Sequence, residues 1–525
     1  MLNVKVLLIT GSLAEETVKR YAQNSNIETE VLALPIQVAA LLKLPNIAKE
    51  LQKRDLNCFD AILVPGLIRG DTKILSDVTG VFAFKGPRYA ADLPTVLDSL
   101  GRVELSTVTP ACDLLKEELQ RKALLELESV EKNWANLLKN SGNMKIKNLV
   151  FGKDFPMRVM AEIVDAPLLE SAEIQRLAKR YVESGAGIID VGMISGERRA
   201  DDARRAVEAV KSVVDVPVSI DTLDPVESRE AVSAGADLVL SVDAGNVEEV
   251  ASFASDVAVV AIPTNQREGY FPKEVNERVK FLEDIISKAR SLGIKQILAD
   301  LIIEPSNVLR SFIAFHEFAK RNPDVPFFLG ATNFTELIDA DSVGVNALLA
   351  CLSSEVGAAI LLATEKSTKA KGTVRELAVA SKMMFLAKKR DSVPKDLGLD
   401  LLILKDKRLR EEPYRGEVEA DAKVVYASED IKPEVLDEKG LFKIAVDHIN
   451  GDIIAFYLTD EHHSRPSVVI NGKSAEHIFL KIEELCLVSR LDHAAYLGRE
   501  LEKAEVALRT GKEYVQDSQL FDDGC

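Results

Sequence analysis

The sequence predicts an α/β protein: a central (β/α)8 TIM barrel, preceded by a doubly wound, Rossmann-like open-sheet domain and followed by a small α+β domain. Three observations carry this expectation. Eight short apolar runs alternate with amphipathic stretches in the middle of the chain, as the strand–helix units of a closed barrel require. Near the start, VKVLLITG and FDAILVPG each read as a strand running into a glycine turn, and a polar helical stretch follows the first of them. Near the end, LFKIAVDHINGDIIAFYL reads as two strands around the Asn450-Gly451 pair favoured in tight hairpins, and two helical stretches follow it.

At 525 residues the chain is too long for one core. Boundaries are placed at 1–145 for the open-sheet domain with its connecting helix, 146–400 for the barrel and 415–525 for the C-terminal domain. The connecting helix is the Leu-, Glu- and Lys-rich stretch from Asp113 to Lys139, with its charges on a solvated face. Hydrophobic content of 47% and charged content of 28% describe an ordinary globular chain. No run reaches the roughly 18 uncharged apolar residues of a spanning helix, and Leu2 to Thr10 lacks a signal-peptide cleavage pattern. A cytoplasmic location without membrane insertion is the expectation. The net charge of -17 argues against a broad nucleic-acid or anionic membrane surface. Cys58, Cys112, Cys351, Cys486 and Cys525 show no CxxC spacing, so neither a disulfide framework nor a cysteine-based metal site is expected, and no metal is assigned. Gly11-Ser12, between a strand and a helix, reads either as a phosphate-binding turn or as a plain tight turn; the lack of a full GxGxxG or GKS pattern favours the latter.

The barrel strands read RVMAEIV, GAGIIDVG, VPVSID, ADLVLSVD, VAVVAIP, QILADLI, VPFFLGA and GAAILLA. Barrel enzymes place their chemistry at the carboxyl ends of the strands. Those ends carry Glu162 with Asp165, then Asp190, Asp221, Asp243, Thr264 with Asn265, Asp300, Asn333, and Thr364 with Glu365. Asp221 and Asp300, from strands three and six, stand on opposite sides of one mouth. A buried carboxylate can accept two hydrogen bonds from the amino group and ring N–H of an aminated bicyclic heterocycle such as a pterin, so this pair could hold such a ligand between them. Asp221 could equally support the turn into PVESREA, whose start is marked by Asp224. Asn333 reads either as a ligand-facing amide or as a cap for the next helix. His462-His463, beside Asp460 and Glu461, lacks a third spaced ligand and reads as solvent-facing; His316 reads as packed on a helix, and His493 stands at a helix start.

The segments AKRYVESGAGIIDVG, VPVSIDTLDPVESREAVSAGADLV and QILADLIIEP resemble the dihydropteroate synthase family of pterin-binding barrels, closely from Arg158 to Ala254 and more weakly to Met384. The whole chain is similar to archaeal dihydropteroate synthase-like proteins, and the tail LVSRLDHAAYLGRELEKAEVALRTGKEYVQD resembles a segment of the A subunit of tetrahydromethanopterin S-methyltransferase. The resemblance implies a reduced pterin, of folate or tetrahydromethanopterin type, as substrate or cofactor. It implies that Asp221 and Asp300 grip the pterin edge and that Asp190 supports the mouth; Asp300 and Asn333 are assigned to the chemistry, and Asp190, Asp243, Glu162 and Lys366 are assigned with Asp221, Asp300 and Asn333 to substrate binding. The implied partners are the pterin, a second copy of the chain in a homodimer, and a corrinoid or methyltransferase subunit. The departures from the synthases are specific. Strand seven, FFLGATNFTELI, lacks their Ser-Arg-Lys motif, strand eight, AAILLATEKSTK, lacks their Arg-x-His, and AEIVDAPLL replaces the strand-one asparagine. A diphosphate leaving group then loses its electrostatic stabilisation unless Lys366, Lys369, Arg198 or Arg199 substitutes for those donors. ATNFTE is more similar to the Ser-Asn pair of pterin-dependent methyltransferases, whose asparagine meets the pterin near N5. Three functions stay open: a synthase-like transfer, methyl transfer to a corrinoid or thiol, and a noncatalytic pterin-binding or assembly subunit.

Overall fold

The computed structural model describes residues 4–407, 425, 436–459 and 465–521. The His462-His463 pair, Cys525 and the boundary drawn at 415 lie outside these residues. By contacts, 1–129 and 394–426 form one unit, and 130–393 and 427–525 form the other.

In the first unit, β1 (Lys5–Gly11), β2 (Glu28–Leu34), β3 (Ala61–Val64) and β4 (Phe82–Lys85) form a parallel sheet in the order β2-β1-β3-β4. Strand β1 is apolar on both faces. Val6 and Leu8 pack with Val18, Val96 and Leu97, while Leu7 and Ile9 pack with Ile47, Leu51 and Leu75. Helices therefore cover both sides, which is the doubly wound arrangement the continuous apolar run requires. The turn after β1 is a plain tight one: the Ser12 and Leu13 N–H groups donate to the Ile36 and Gln37 carbonyls at 3.0 and 3.3 Å and are spent on the protein itself. A Cβ at Gly11 would lie 2.6 Å from each of those oxygens, so only glycine fits there.

The second unit begins with a hairpin, β5 (Asn143–Ile146) and β6 (Leu149–Gly152). Eight barrel strands follow: β7 (Arg158–Ile163), β8 (Ile188–Gly192), β9 (Val218–Asp221), β10 (Leu238–Val242), β11 (Ala258–Ala261), β12 (Ile297–Ala299), β13 (Phe328–Leu329) and β14 (Ile360–Thr364). They pair in sequence, and β14 pairs with β7. A bridge between Ala299 and Phe327, with the Ala299 N–H on the Pro326 carbonyl at 3.1 Å, joins β12 to the start of β13 and closes the ring. Each of the eight apolar runs read from the sequence is one of these strands. Between them lie helices whose single apolar stripe faces the ring, as in Ser171–Glu183, which buries Ile174, Ala178 and Tyr181. Asp224 caps the helix Pro225–Ser233, its side chain accepting from the Val226 and Glu227 N–H groups, as expected from the sequence.

The barrel interior is a layered core of Met160, Ile188, Leu238, Leu240, Val260, Leu298, Phe328, Ile360 and Leu362, and the hairpin residues Ile146 and Phe151 belong to the same cluster. The boundary placed between 145 and 146 is thereby corrected: it cuts β5, and both strands of that hairpin pack into the barrel core. His316 is corrected too, since it lies on the exposed face of the helix Val308–Arg321.

The C-terminal part is a three-stranded antiparallel sheet, β15 (Leu441–Asp447), β16 (Asp452–Leu458) and β17 (Val468–Gly472), covered by the helices Ala475–Glu484 and Leu491–Thr510. Asn450 and Gly451 lie in the β15–β16 turn, where Gly451 takes a φ of +72° and the Asp447 carboxylate accepts from the Ile449 and Asn450 N–H groups. Among the described residues no helix is long and apolar enough to cross a membrane.

Candidate functional site

The carboxyl ends of the barrel strands gather an acidic mouth. Glu162 on β7, Asp190 on β8 and Asp221 at the end of β9 each bring one carboxylate oxygen to within 4.8 Å of the others. Asp300, directly after β12, acts on Asp221 electrostatically. Parallel pairing fixes this arrangement, because Glu162 stands opposite Asp190 and Gly192 opposite Asp221 in register. Among the described residues no lysine, arginine or histidine forms an ion pair with Glu162, Asp190, Asp221 or Asp300. The cations expected to serve the mouth each pair with another carboxylate, Lys366 with Asp165 at 3.0 Å, Lys369 with Asp339 at 2.9 Å, Arg198 with Asp224 at 2.7 Å and Arg199 with Asp202 at 2.9 Å, while Lys366 also acts on Glu162 by charge.

Burial outweighs the nearby positive charges of Lys366 and Arg278 in setting the protonation of this group. Burial, then the charges of Glu162 and Asp300, push Asp221 up to about 7. Burial alone pushes Asp300 up to about 7, against the opposing pull of the Ile302 N–H and the Arg278 charge. Burial, then Asp221 and Glu162, raise Asp190 well above the usual carboxylate range. Burial also raises Glu162, although the Thr364 hydroxyl donates to it at 2.9 Å. Asp190 accepts from the Ser219 hydroxyl through one oxygen, while its other oxygen is buried with no partner. The Asp221 carboxylate accepts no hydrogen bond among the described residues, so it is not the turn support that the sequence also allowed; Asp224 takes that role. Thr222, next along, donates instead to the buried Glu227, which also accepts the Arg199 N–H at 2.7 Å.

The mouth thus presents several acceptors that want donors and are held close enough to share protons. A neutral ligand with adjacent N–H groups satisfies them, and so does a divalent cation on Glu162, Asp190 and Asp221. Leu223 and Ile302, each two residues beyond a mouth carboxylate, pack on the barrel's apolar interior and offer nonpolar surface beside it. Neither was foreseen from the sequence.

One expected site residue is placed differently. Asp243 was read as a pocket residue, but one of its oxygens accepts the Gly245 and Asn246 N–H groups at 2.8 and 3.1 Å, and the other accepts the Thr264 hydroxyl and the Gln266 N–H at 2.9 and 2.7 Å. A carboxylate offers about four acceptor positions, so Asp243 is consumed in joining the loops after β10 and β11. Asp243→Ala is expected to strand these donors and lower the melting temperature by roughly 5–10 °C; a calorimetric scan checks this. Asn333 caps neither helix near it, since Ala331 precedes Thr332–Thr335 and Asp341 precedes Ser342–Val356. It is exposed, with its amide nitrogen 2.7 Å from where a Cβ on Gly330 would lie, so glycine makes room for that amide. Glu365 faces the helix layer, bound to Arg180 and the Val374 N–H. Asn265 is held in a backbone bridge with Tyr270.

Comparison with known proteins agrees with the barrel's character. Residues 165–340 match a family model described as pterin binding enzyme, 436–517 match PterinBD-DUF4346, and 4–88 match a family of unknown function. An uncharacterized protein of Methanocaldococcus jannaschii is 42% identical over 532 residues, covering 99% of both chains. A Ycf91-like protein of a Nostoc species is 44% identical over 86 residues, 16% of this chain and 64% of that one. Among solved structures, a Yersinia pestis dihydropteroate synthase has a TM-score of 0.38 at 17% identity, covering 48% of this chain and 100% of that one. The Xanthomonas albilineans synthase in complex with 7,8-dihydropteroate has a TM-score of 0.38 at 19% identity, with the same coverage of 48% and 100%. The chain belongs to one family with its Methanocaldococcus relative, and its barrel carries the match to the pterin binding enzyme model over residues 165–340.

Proposed function

We propose that the barrel binds a reduced pterin through Asp221 and Asp300 and carries out a transfer reaction on it. The observation that supports this reading is the acidic mouth with acceptor capacity to spare: Asp221 accepts no protein hydrogen bond among the described residues, Asp300 accepts one through a single oxygen, and the amino group and N3–H of a pterin supply two donors on one edge. Leu223 and Ile302 give the ring apolar contact, Glu162 and Asp190 bound the pocket, and Asn333 meets the pyrazine side. The same acidity disfavours a diphosphate leaving group, because Lys366, Lys369, Arg198 and Arg199 are each held by a carboxylate.

A second reading, methyl transfer from a methylated pterin to a corrinoid, is favoured by one arrangement in the C-terminal domain. The Nδ1 of His493 lies 3.0 Å from Asp437. Burial pushes Asp437 up, but donors from Ser489, Lys439 and His493 outweigh it and hold the carboxyl well below its usual range. A carboxylate on Nδ1 orients the ring and leaves Nε2 as the nitrogen that could meet a metal complex bringing its own remaining ligands.

The readings separate in one set of assays with the full chain. Incubation with dihydropterin methyl diphosphate and an arylamine releases diphosphate only on the synthase-like reading. Consumption of methyl-tetrahydropterin in the presence of a cobalt(I) corrinoid marks methyl transfer; Asn333→Ala is then expected to slow it about tenfold, the effect of one lost hydrogen bond. Pterin binding with neither turnover leaves a noncatalytic binding subunit. Failure to bind any reduced pterin contradicts all three.

A further inference from the structure

Asp300 owes its geometry to a backbone conformation that its neighbour resists. Ile302 has a φ of +62°, in the left-handed region that a β-branched side chain rarely adopts. In that conformation its N–H donates to one oxygen of Asp300 at 2.8 Å, and its side chain packs on the barrel interior. Its carbonyl accepts from Arg278 at 3.4 Å.

Arg278 is an unusual residue to find there. It is fully buried in the helix Val275–Ser291, within the stripe formed by Val279, Leu282, Ile285, Ile286 and Ala289. Its guanidinium spans two barrel loops: Nε donates to the Pro272 carbonyl at 3.2 Å on one, and the other nitrogens reach the Ile302 carbonyl and Glu304 on the next. It also lies 4.5 Å from the Phe271 ring centroid. A buried cation is costly to desolvate and is retained where its full set of donors is used. Here two of its three bonds fall on the turn that follows Asp300, and the third ties that turn to the loop of Pro272.

We infer that Arg278 is a positioning residue for the pterin site. Resting on the pterin reading above, it holds Ile302 in its left-handed turn, keeps the Ile302 N–H on one oxygen of Asp300, and leaves the other oxygen to the ligand. The guanidinium fork does this because it binds the carbonyl of the strained residue and anchors on both flanking loops. Glycine at 302 would adopt the same turn without strain and would need no such hold.

The test is a double-mutant cycle on the full chain, with binding of 6-hydroxymethyl-7,8-dihydropterin measured by calorimetry. Arg278→Gln is expected to weaken binding at least tenfold. In an Ile302→Gly background the same change is expected to cost less than threefold. Arg278 also acts on Asp300 by charge; Glu304, paired with both Arg278 and Lys273, lies on the same side, and Asp221, on which Asp300 and Glu162 act, faces it across the mouth. Arg278→Gln should therefore move the acid limb of pterin binding to higher pH, whereas Arg278→Lys should leave that limb in place while still losing affinity. Should Arg278→Gln fail to fold, Arg278→Lys in both backgrounds makes the same comparison. An equal loss in both backgrounds, or none, with pterin bound normally by the wild type, would overturn the role of Arg278 alone. A wild-type chain that binds no pterin would overturn the parent reading and this inference with it.

Discussion

Asparagine in place of Asp221 is expected to make the ligand-free protein more stable at pH 8 and to remove most of its affinity for pterin. The two effects have one cause. Asp221 has a folded-state value of about 7 against an ordinary 3.8, so the folded chain holds a proton that the unfolded chain releases. The stabilisation from that proton is complete below about pH 4 and is lost as pH rises through about 7, a difference of a few kcal/mol between the extremes. Asparagine carries no charge to desolvate. The variant should therefore melt higher than wild type at pH 8, by roughly 5 °C or more, and the gap should close at pH 4. A charged acceptor contributes about 1.5–3 kcal/mol to a hydrogen bond, so pterin binding at pH 8 should weaken by roughly ten- to a hundredfold. Parallel thermal melts and titrations of the two proteins read both effects. A variant destabilised at every pH would place Asp221 in the framework and not in the pocket.

Pterin binding itself should depend steeply on pH. With Asp221 and Asp300 both near 7, this pair is largely ionised at pH 8.5 and largely protonated at pH 5.5. The amino and N3–H donors of the ligand select the ionised form, so each carboxylate that must ionise reduces affinity up to about tenfold per pH unit below 7. Asp190 is raised by the charges of Asp221 and Glu162, and Asp221 by those of Glu162 and Asp300, so the apparent midpoint belongs to the cluster. Below pH 7, calorimetry in buffers of different ionisation enthalpy should register proton release on binding. Affinity that stays flat from pH 5.5 to 8.5 would show that the ligand does not meet these carboxylates.

The barrel could be read from the sequence because its signals are local. Each strand is a short apolar run, each helix an amphipathic stripe, and the strand ends that carry Asp221 and Asp300 follow from counting. The terminal hairpin was legible for the same reason, since Asn450-Gly451 marks its turn. The hairpin at 143–152 was missed because NMKIKNLVFG is too short and mixed to stand out beside the helix before it. Asp243 was misplaced because its partners come from the 264–266 loop as well as its own; the nearby Asn246 in DAGN is a local signal that could have suggested a closed turn. Arg278 could have been found, since it interrupts the apolar stripe of an otherwise regular helix. The left-handed Ile302 and the unpartnered oxygen of Asp190 have no local signal. They arise only when loops distant in sequence meet at the mouth.

The central claim is that two acceptors face the amino-bearing edge of a pterin. It is tested most directly by comparing a pterin with its 2-deamino analogue, the same ring without that donor, at pH 8. This account predicts that the analogue binds roughly ten- to a hundredfold more weakly, and that Asp221→Asn and Asp300→Asn shrink that gap. Equal binding of the two ligands to the wild-type chain would contradict it.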